Sequence, residues 1–113
     1  MTNARMDEMT GARACELFAA LSNPVRLRIT ELLCETPHTV GEVATEMKIG
    51  QSGASQHLAI LARAGLVVSE PRGTSRVYRI RGPRIAAILK LIEEFCHVHR
   101  LYGDPDDQPG APA

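Results

Sequence analysis

Apolar positions recur with a helical period along most of the chain and switch to an alternating period once, after Gly65. Ala14, Leu17, Phe18 and Leu21 predict a first amphipathic helix from about Thr10 to Leu21, preceded by a flexible polar segment, 1–9. Ser22-Asn23-Pro24 is a stop and restart, a capping residue followed by proline at a first helical position. The second helix runs from Pro24 to about Cys34, with Val25, Ile29, Leu32 and Leu33 facing inward and Arg26 and Arg28 outside. Thr36-Pro37-His38 breaks it. Thr39-Val40-Gly41-Glu42 fits a capping box and opens a short third helix, Val40 to Met47, that presents Val43, Ala44 and Met47. Lys48-Ile49-Gly50 is a turn, and a fourth helix follows from about Gln51 to Ala64, ended by Gly65. Two short helices joined by a tight glycine-containing turn make a helix-turn-helix.

Beyond Gly65, Leu66–Ser69 and Arg76–Ile80 predict two strands, joined by 70–75 with Pro71 and Gly73 as turn residues. A hairpin directly after such a helix is a wing. Gly82-Pro83 restarts a last helix, to about Tyr102, with Ile85, Ile88, Leu89, Ile92, Phe95 and Cys96 on one apolar stripe. The tail 103–113 is rich in Pro, Gly and Asp and predicts disorder. The expected architecture is mainly α with a small β-hairpin wing: a winged helix-turn-helix of order α-α-α-α-β-β-α, in one domain over residues 10–102. The last helix's stripe is more than a small helical core can cover, and a chain of 113 residues gains core by pairing, so a homodimer is expected.

The fourth helix carries the chemistry. Gln51, Ser52, Ser55 and Gln56 place small and hydrogen-bonding groups on one face, opposite Leu58, Ile60 and Leu61. Short polar side chains let a helix backbone come close to base edges and phosphates in a major groove. Gln56 is a candidate base reader, since its amide can pair bidentately with adenine. His57 fits two roles, a phosphate contact or packing of the helix against the wing. The wing tip adds Arg72, Thr74, Ser75 and Arg76, suited to phosphate or minor-groove contact.

A formal net charge of zero first argues against nucleic acid, but the charge is unevenly placed. Residues 51–84 hold Arg63, Arg72, Arg76, Arg79, Arg81 and Arg84 against Glu70 alone, while both flanks are net acidic. Phosphates respond to that local excess. Other classes find less support. Ser55 and His57 are two apart on a helix and cannot meet, and no glycine-rich phosphate loop follows a strand, so no enzyme is expected. No run of 18 apolar residues exists, so no membrane span is expected. The N-terminus lacks a signal peptide's apolar core, which points to the cytoplasm. Cys15, Cys34 and Cys96 are too few and scattered for a disulfide framework. A winged helix used only for protein–protein contact is the remaining rival to DNA binding.

The order and identity of several segments resemble a known family. They are 21–27 (Leu-Ser-Asn-Pro-Val-Arg-Leu), 40–43, 52–58 with Leu61, 64–67, and the wing ending Arg76-Val77-Tyr78. Over roughly Cys15 to Arg100 the chain is similar to the ArsR/SmtB family of bacterial winged-helix repressors. The resemblance implies a homodimer in which the first helix (Leu17, Phe18) and the last (Ile85, Ile88, Leu89, Ile92, Phe95) pair across a two-fold axis. It also implies an inverted-repeat DNA operator, repression as the default outcome, and in many members a metal sensor.

The sensor is where the chain departs from the resemblance. Thr39, Val40 and Gly41 stand where one common site has a Cys-x-Cys pair, and Gly82-Pro83-Arg84 replaces the Asp and His that open another. The remaining candidate is Cys96, His97 and His99, ligands for a nickel, zinc or copper ion bound weakly if at all. Cys96 and His99 share a helix face and also continue the apolar stripe, so packing at a dimer seam accounts for them as well. A looser pairing sets Glu93 with His97. A redox device joining Cys15 to Cys96 is a further option, and so is a chain that senses nothing and depends on a separate effector-sensing protein.

Overall fold

Asp7 starts the first helix earlier than the apolar spacing predicts. Its carboxylate accepts from the Thr10 backbone N–H at 2.7 Å and from the Thr10 hydroxyl at 3.1 Å, capping a helix that runs Glu8–Leu21 (α1). Residues 8 and 9 of the expected flexible segment 1–9 are therefore helical, and residues 1–4 of it lie outside the described residues. The computed structural model describes residues 5–99; the expected disordered tail 103–113 and the helical ending near Tyr102 lie outside the described residues. Two compact units divide the chain, Met1–Gly82 and Pro83–Ala113.

In the first unit, α1 is followed by α2 (Pro24–Glu35), β1 (His38–Thr39), α3 (Val40–Met47), α4 (Gln51–Arg63), β2 (Val67–Arg72) and β3 (Ser75–Ile80). Asn23 caps α2 as the Asn-Pro sequence predicts, its Oδ1 accepting from Val25 N–H at 2.9 Å and Arg26 N–H at 3.1 Å. The capping box of α3 is formed in full: Glu42 N–H donates to Thr39 Oγ1 (3.1 Å) and Thr39 N–H to Glu42 Oε1 (2.7 Å). The core is Ala20, Ile29, Leu33, Val43, Ala44, Ala54, Leu58, Leu61, Leu66, Val67 and Val77, contributed by all four helices and both wing strands. Thr30 is buried among them, with its hydroxyl donating to the Arg26 carbonyl at 2.8 Å.

Both ends of the helix-turn-helix close in left-handed turns. After α4, Gly65 takes φ +85°; its N–H donates to Ala62 O and the Leu66 N–H to Leu61 O, both at 3.0 Å, the paired bonds of a Schellman closure. After α3 the same pattern recurs with Lys48 (φ 57°, ψ 46°), whose N–H meets Thr45 O while Ile49 N–H meets Ala44 O. The glycine of that turn, Gly50, instead sits in extended geometry at the start of α4. A lysine in the left-handed region costs about 1–2 kcal/mol of backbone energy, so tertiary packing holds this turn rather than local preference.

Three findings correct the sequence expectation. The sheet has three strands, in the order β1-β3-β2, because His38 and Thr39 pair antiparallel with Tyr78 and Val77. The segment 36–38 breaks α2 and then serves as an edge strand too short to show any period. The wing strands are also longer than expected: Pro71 pairs opposite Arg76, leaving a two-residue turn at Gly73-Thr74. Gly73 has φ +60° at the first turn position, as a type II′ hairpin needs, and Pro71 is tolerated because β2 is an edge. Finally, Arg26 is not on the outside but half-buried and hydrogen-bonded.

The second unit is described by α5 (Arg84–His99), in which no residue is buried. Leu91, Phe95 and Val98 are more than half exposed, at 64%, 55% and 75%, with Ile88 and Ile92 close behind. Ile85 and Leu89 are half-buried.

Glu42 gives this fold an acid dependence. Hydrogen bonding from the Thr39 backbone N–H, then from the Thr39 side chain, holds its carboxyl below the ordinary glutamate value. Its stabilising effect is therefore complete above the unfolded-state value and is lost as pH falls through the lowered folded value. Thermal melts from neutral to acid pH should show Glu42→Gln flattening the acid side of the stability curve relative to the unsubstituted protein.

Candidate nucleic-acid interface

Burial divides α4 lengthwise. Ala54, Leu58 and Leu61 are fully buried, so the opposite face must point outward. Gln51, Ser52, Ser55 and Gln56 are all exposed there. Ala59, also exposed, sits among them at the helical spacing 52, 55, 56, 59. Polarity alone passed over this alanine, although a methyl on such a face can meet a thymine methyl. Gly50, at the helix start, offers no side-chain cap, which leaves the first backbone N–H groups of α4 open to an anion such as phosphate.

The wing presents a cationic surface. Arg72, Thr74 and Arg76 are exposed and Ser75 is half-buried at the start of β3. Arg76 Nε donates to Ser69 Oγ on β2 at 3.1 Å, which orders the base of its side chain across the hairpin. Arg72 lies close enough to the α3 start to lower the Glu42 carboxyl slightly.

His57 makes a contact that neither expected role includes. It is half-buried, and its Nδ1 lies 3.5 Å from Nη1 of Arg26 on α2. Arg26 in turn donates from Nε to Ala20 O at 2.7 Å and from Nη2 to Ala19 O at 3.4 Å, meeting carbonyls at the end of α1. A signal for Arg26 was present in the sequence. Helical side chains lean toward the helix N-terminus, and an arginine two residues after Pro24 therefore reaches back past the start of α2 to α1.

A profile described as "Bacterial regulatory protein, arsR family" matches residues 23–69. Two curated relatives extend the likeness. The uncharacterised helix-turn-helix regulator Rv0081 of Mycobacterium tuberculosis is 40% identical over 77 residues, 67% of this chain and 68% of its own. The transcriptional activator HlyU of Vibrio cholerae is 33% identical over 100 residues, 88% of this chain and 87% of its own. The chain belongs to the ArsR family of bacterial regulatory proteins.

Solved structures agree with that assignment. The crystal structure of Rv0081 superposes with a TM-score of 0.73 at 33% identity, covering 82% of this chain and 93% of that one. The homodimeric winged helix-turn-helix DNA-binding domain Mb0332 of Mycobacterium bovis, solved by NMR, gives a TM-score of 0.75 at 28% identity over 88% and 94% of the two chains. This ArsR-family chain is accordingly a winged-helix, DNA-binding transcriptional regulator.

Sensor candidates are less well served by the geometry. Among the described residues no three His, Cys, Asp or Glu side chains gather where a metal ion could be held. Cys96, His97 and His99 are not brought together as such a group among the described residues. The His99 ring packs on Phe95 instead, with centroids 4.3 Å apart, and Glu93 approaches Lys90 (3.6 Å). All three cysteines are free thiols; Cys15 and Cys96 are exposed. Partial burial, reinforced by Glu31 and Glu35, pushes the Cys34 thiol up and away from the reactive thiolate form.

Two substitutions separate positioning from reading. Replacing Arg72 and Arg76 together by Ala should weaken binding to every duplex and make the log affinity versus log salt slope shallower by about 0.9 for each phosphate no longer neutralised. Gln56→Ala should cost about 1–3 kcal/mol on the preferred site and little on random DNA, measured by fluorescence anisotropy on both.

Proposed function

We propose that this chain works as a homodimeric repressor in the cytoplasm, binding an imperfect inverted repeat in promoter DNA and excluding polymerase from it. The observation that carries the reading is the division of α4: three buried apolar residues hold the helix while its polar outer face stays free. Two such helices related by a two-fold axis would enter successive major grooves about 34 Å apart. Pairing is supported by α5, where no residue is buried in the single chain and several large apolar side chains are exposed. The solved relative Mb0332 is described as homodimeric.

Sensing is the open term of the proposal. A metal site on Cys96, His97 and His99 would draw further ligands from elsewhere, such as the second copy, since no group of three gathers among the described residues. Otherwise the signal arrives through another protein. The deciding experiment is anisotropy on the gene's own upstream DNA with reduced, metal-free protein, repeated with excess nickel or zinc, alongside sedimentation and a promoter-reporter assay. A dimer that binds tightly and lowers transcription is expected. A tenfold metal effect, about 1.4 kcal/mol of coupling, would place sensing on α5. Raised transcription would mean activation, the role named for HlyU.

A further inference from the structure

The apolar stripe decides which face of α4 is buried but fixes the helix's fine setting only loosely. Ala54, Leu58 and Leu61 bury area, and burial is nearly indifferent to small rotations or slides of a helix. Hydrogen bonds are directional, and side-chain hydrogen bonding ties α4 to the helices behind it through the pair Arg26 and His57. One guanidinium there serves two helices at once. Its Nε and Nη2 meet the Ala20 and Ala19 carbonyls that close α1, and its Nη1 meets His57 Nδ1 on the flank of α4's buried stripe. Asn23 sets the start of α2 beneath it by accepting from the Arg26 backbone N–H. An arginine has no acceptor, so a hydrogen bond between the two requires His57 Nδ1 to accept, with the ring proton on Nε2. Glu16 and Arg63 line with Arg26 an open cleft of about 540 Å³ between α1, α2 and α4.

We propose that Arg26 is a positioning residue for DNA reading: it braces His57 from the end of α1 and thereby fixes how Gln51, Ser52, Ser55 and Gln56 are presented. This rests on the reading of α4 as the DNA-contacting helix. It assigns His57 to neither the phosphate backbone nor the wing.

The test uses the full chain. His57→Leu keeps bulk and leaves Arg26's bonds to α1 intact but removes the acceptor; His57→Gln restores one in its amide oxygen. His57→Leu is expected to lose about tenfold in affinity for the preferred duplex, about 1.4 kcal/mol, with no lower melting temperature and an unchanged salt slope. His57→Gln should stay within about twofold of the unsubstituted protein. Adding Arg26→Gln to His57→Leu should cost stability but no further affinity. Long-range ¹H–¹⁵N spectra of the His57 ring, which need no DNA, should show the Nε2–H form, shifting toward a tautomer mixture in Arg26→Gln. Wild-type affinity in His57→Leu overturns the proposal, as do a shallower salt slope, which marks a phosphate contact, or a ring protonated on Nδ1. Gln56→Ala on the same duplexes reports separately on α4: if it leaves discrimination untouched, the base-reading assignment fails while the ring spectra still decide the brace.

Discussion

Everything the α4 surface can do depends on the burial of Ala54, Leu58 and Leu61 beneath it. Enclosing Leu58 and Leu61 is worth about 1.5–3 kcal/mol each, whereas exchanges on an exposed helix face move stability by about 0.5 kcal/mol or less. The buried stripe therefore decides which way the helix faces, and the outward residues are free to be chosen for what they touch. Ala54 at zero exposure adds a steric condition, because anything larger would press into the packed side of the helix. Gln51, Ser52, Ser55, Gln56 and Ala59 are outward because their neighbours in the sequence are inward.

The ends of the helices carry the second level of control. Paired backbone bonds at Lys48 and Ile49, and again at Gly65 and Leu66, turn the chain sharply out of α3 and out of α4. The first turn sets α4 against α3, and the second delivers the chain directly into β2. From there the wing is held along one side, since β1 pairs with β3 while β2 remains an edge. His38 and Thr39 thus link the wing to the start of α3, where Thr39 is also the capping residue. One threonine serves the sheet with its backbone and the helix with its hydroxyl.

Charge and apolar surface divide the chain by function. The arginine-rich segment 51–84 contains α4 and the wing, while the acidic remainder brings the whole to neutrality. Such an arrangement attracts a polyanion at one place without a large net charge. The stripe on α5 is the complementary case, apolar area that a single copy leaves in water. Among regulators of this family such a surface is consistent with pairing, and α5 supplies it without any of the side chains that α4 uses.

Most of the architecture followed from the sequence because its determinants are local. Asn23-Pro24, Thr39 with Glu42, and Gly65 are caps whose chemistry acts within four residues, and each appears in the structure where the sequence places it. The helical period likewise picked out Ile29, Leu33, Val43, Leu58 and Leu61 as core, and polarity marked the outer face of α4 and the wing tip. What tertiary structure decided is everything that needs a distant partner. β1 is two residues long and exists only because β3 runs beside it. Lys48 takes a backbone conformation that its own side chain disfavours, because packing of α3 and α4 outweighs the local cost. Arg26 and His57, 31 positions apart, meet through the folding of α2 against α4, and no periodicity encodes that contact. Local chemistry specifies where elements begin and end; only the packed chain determines which side chains hold those elements to one another.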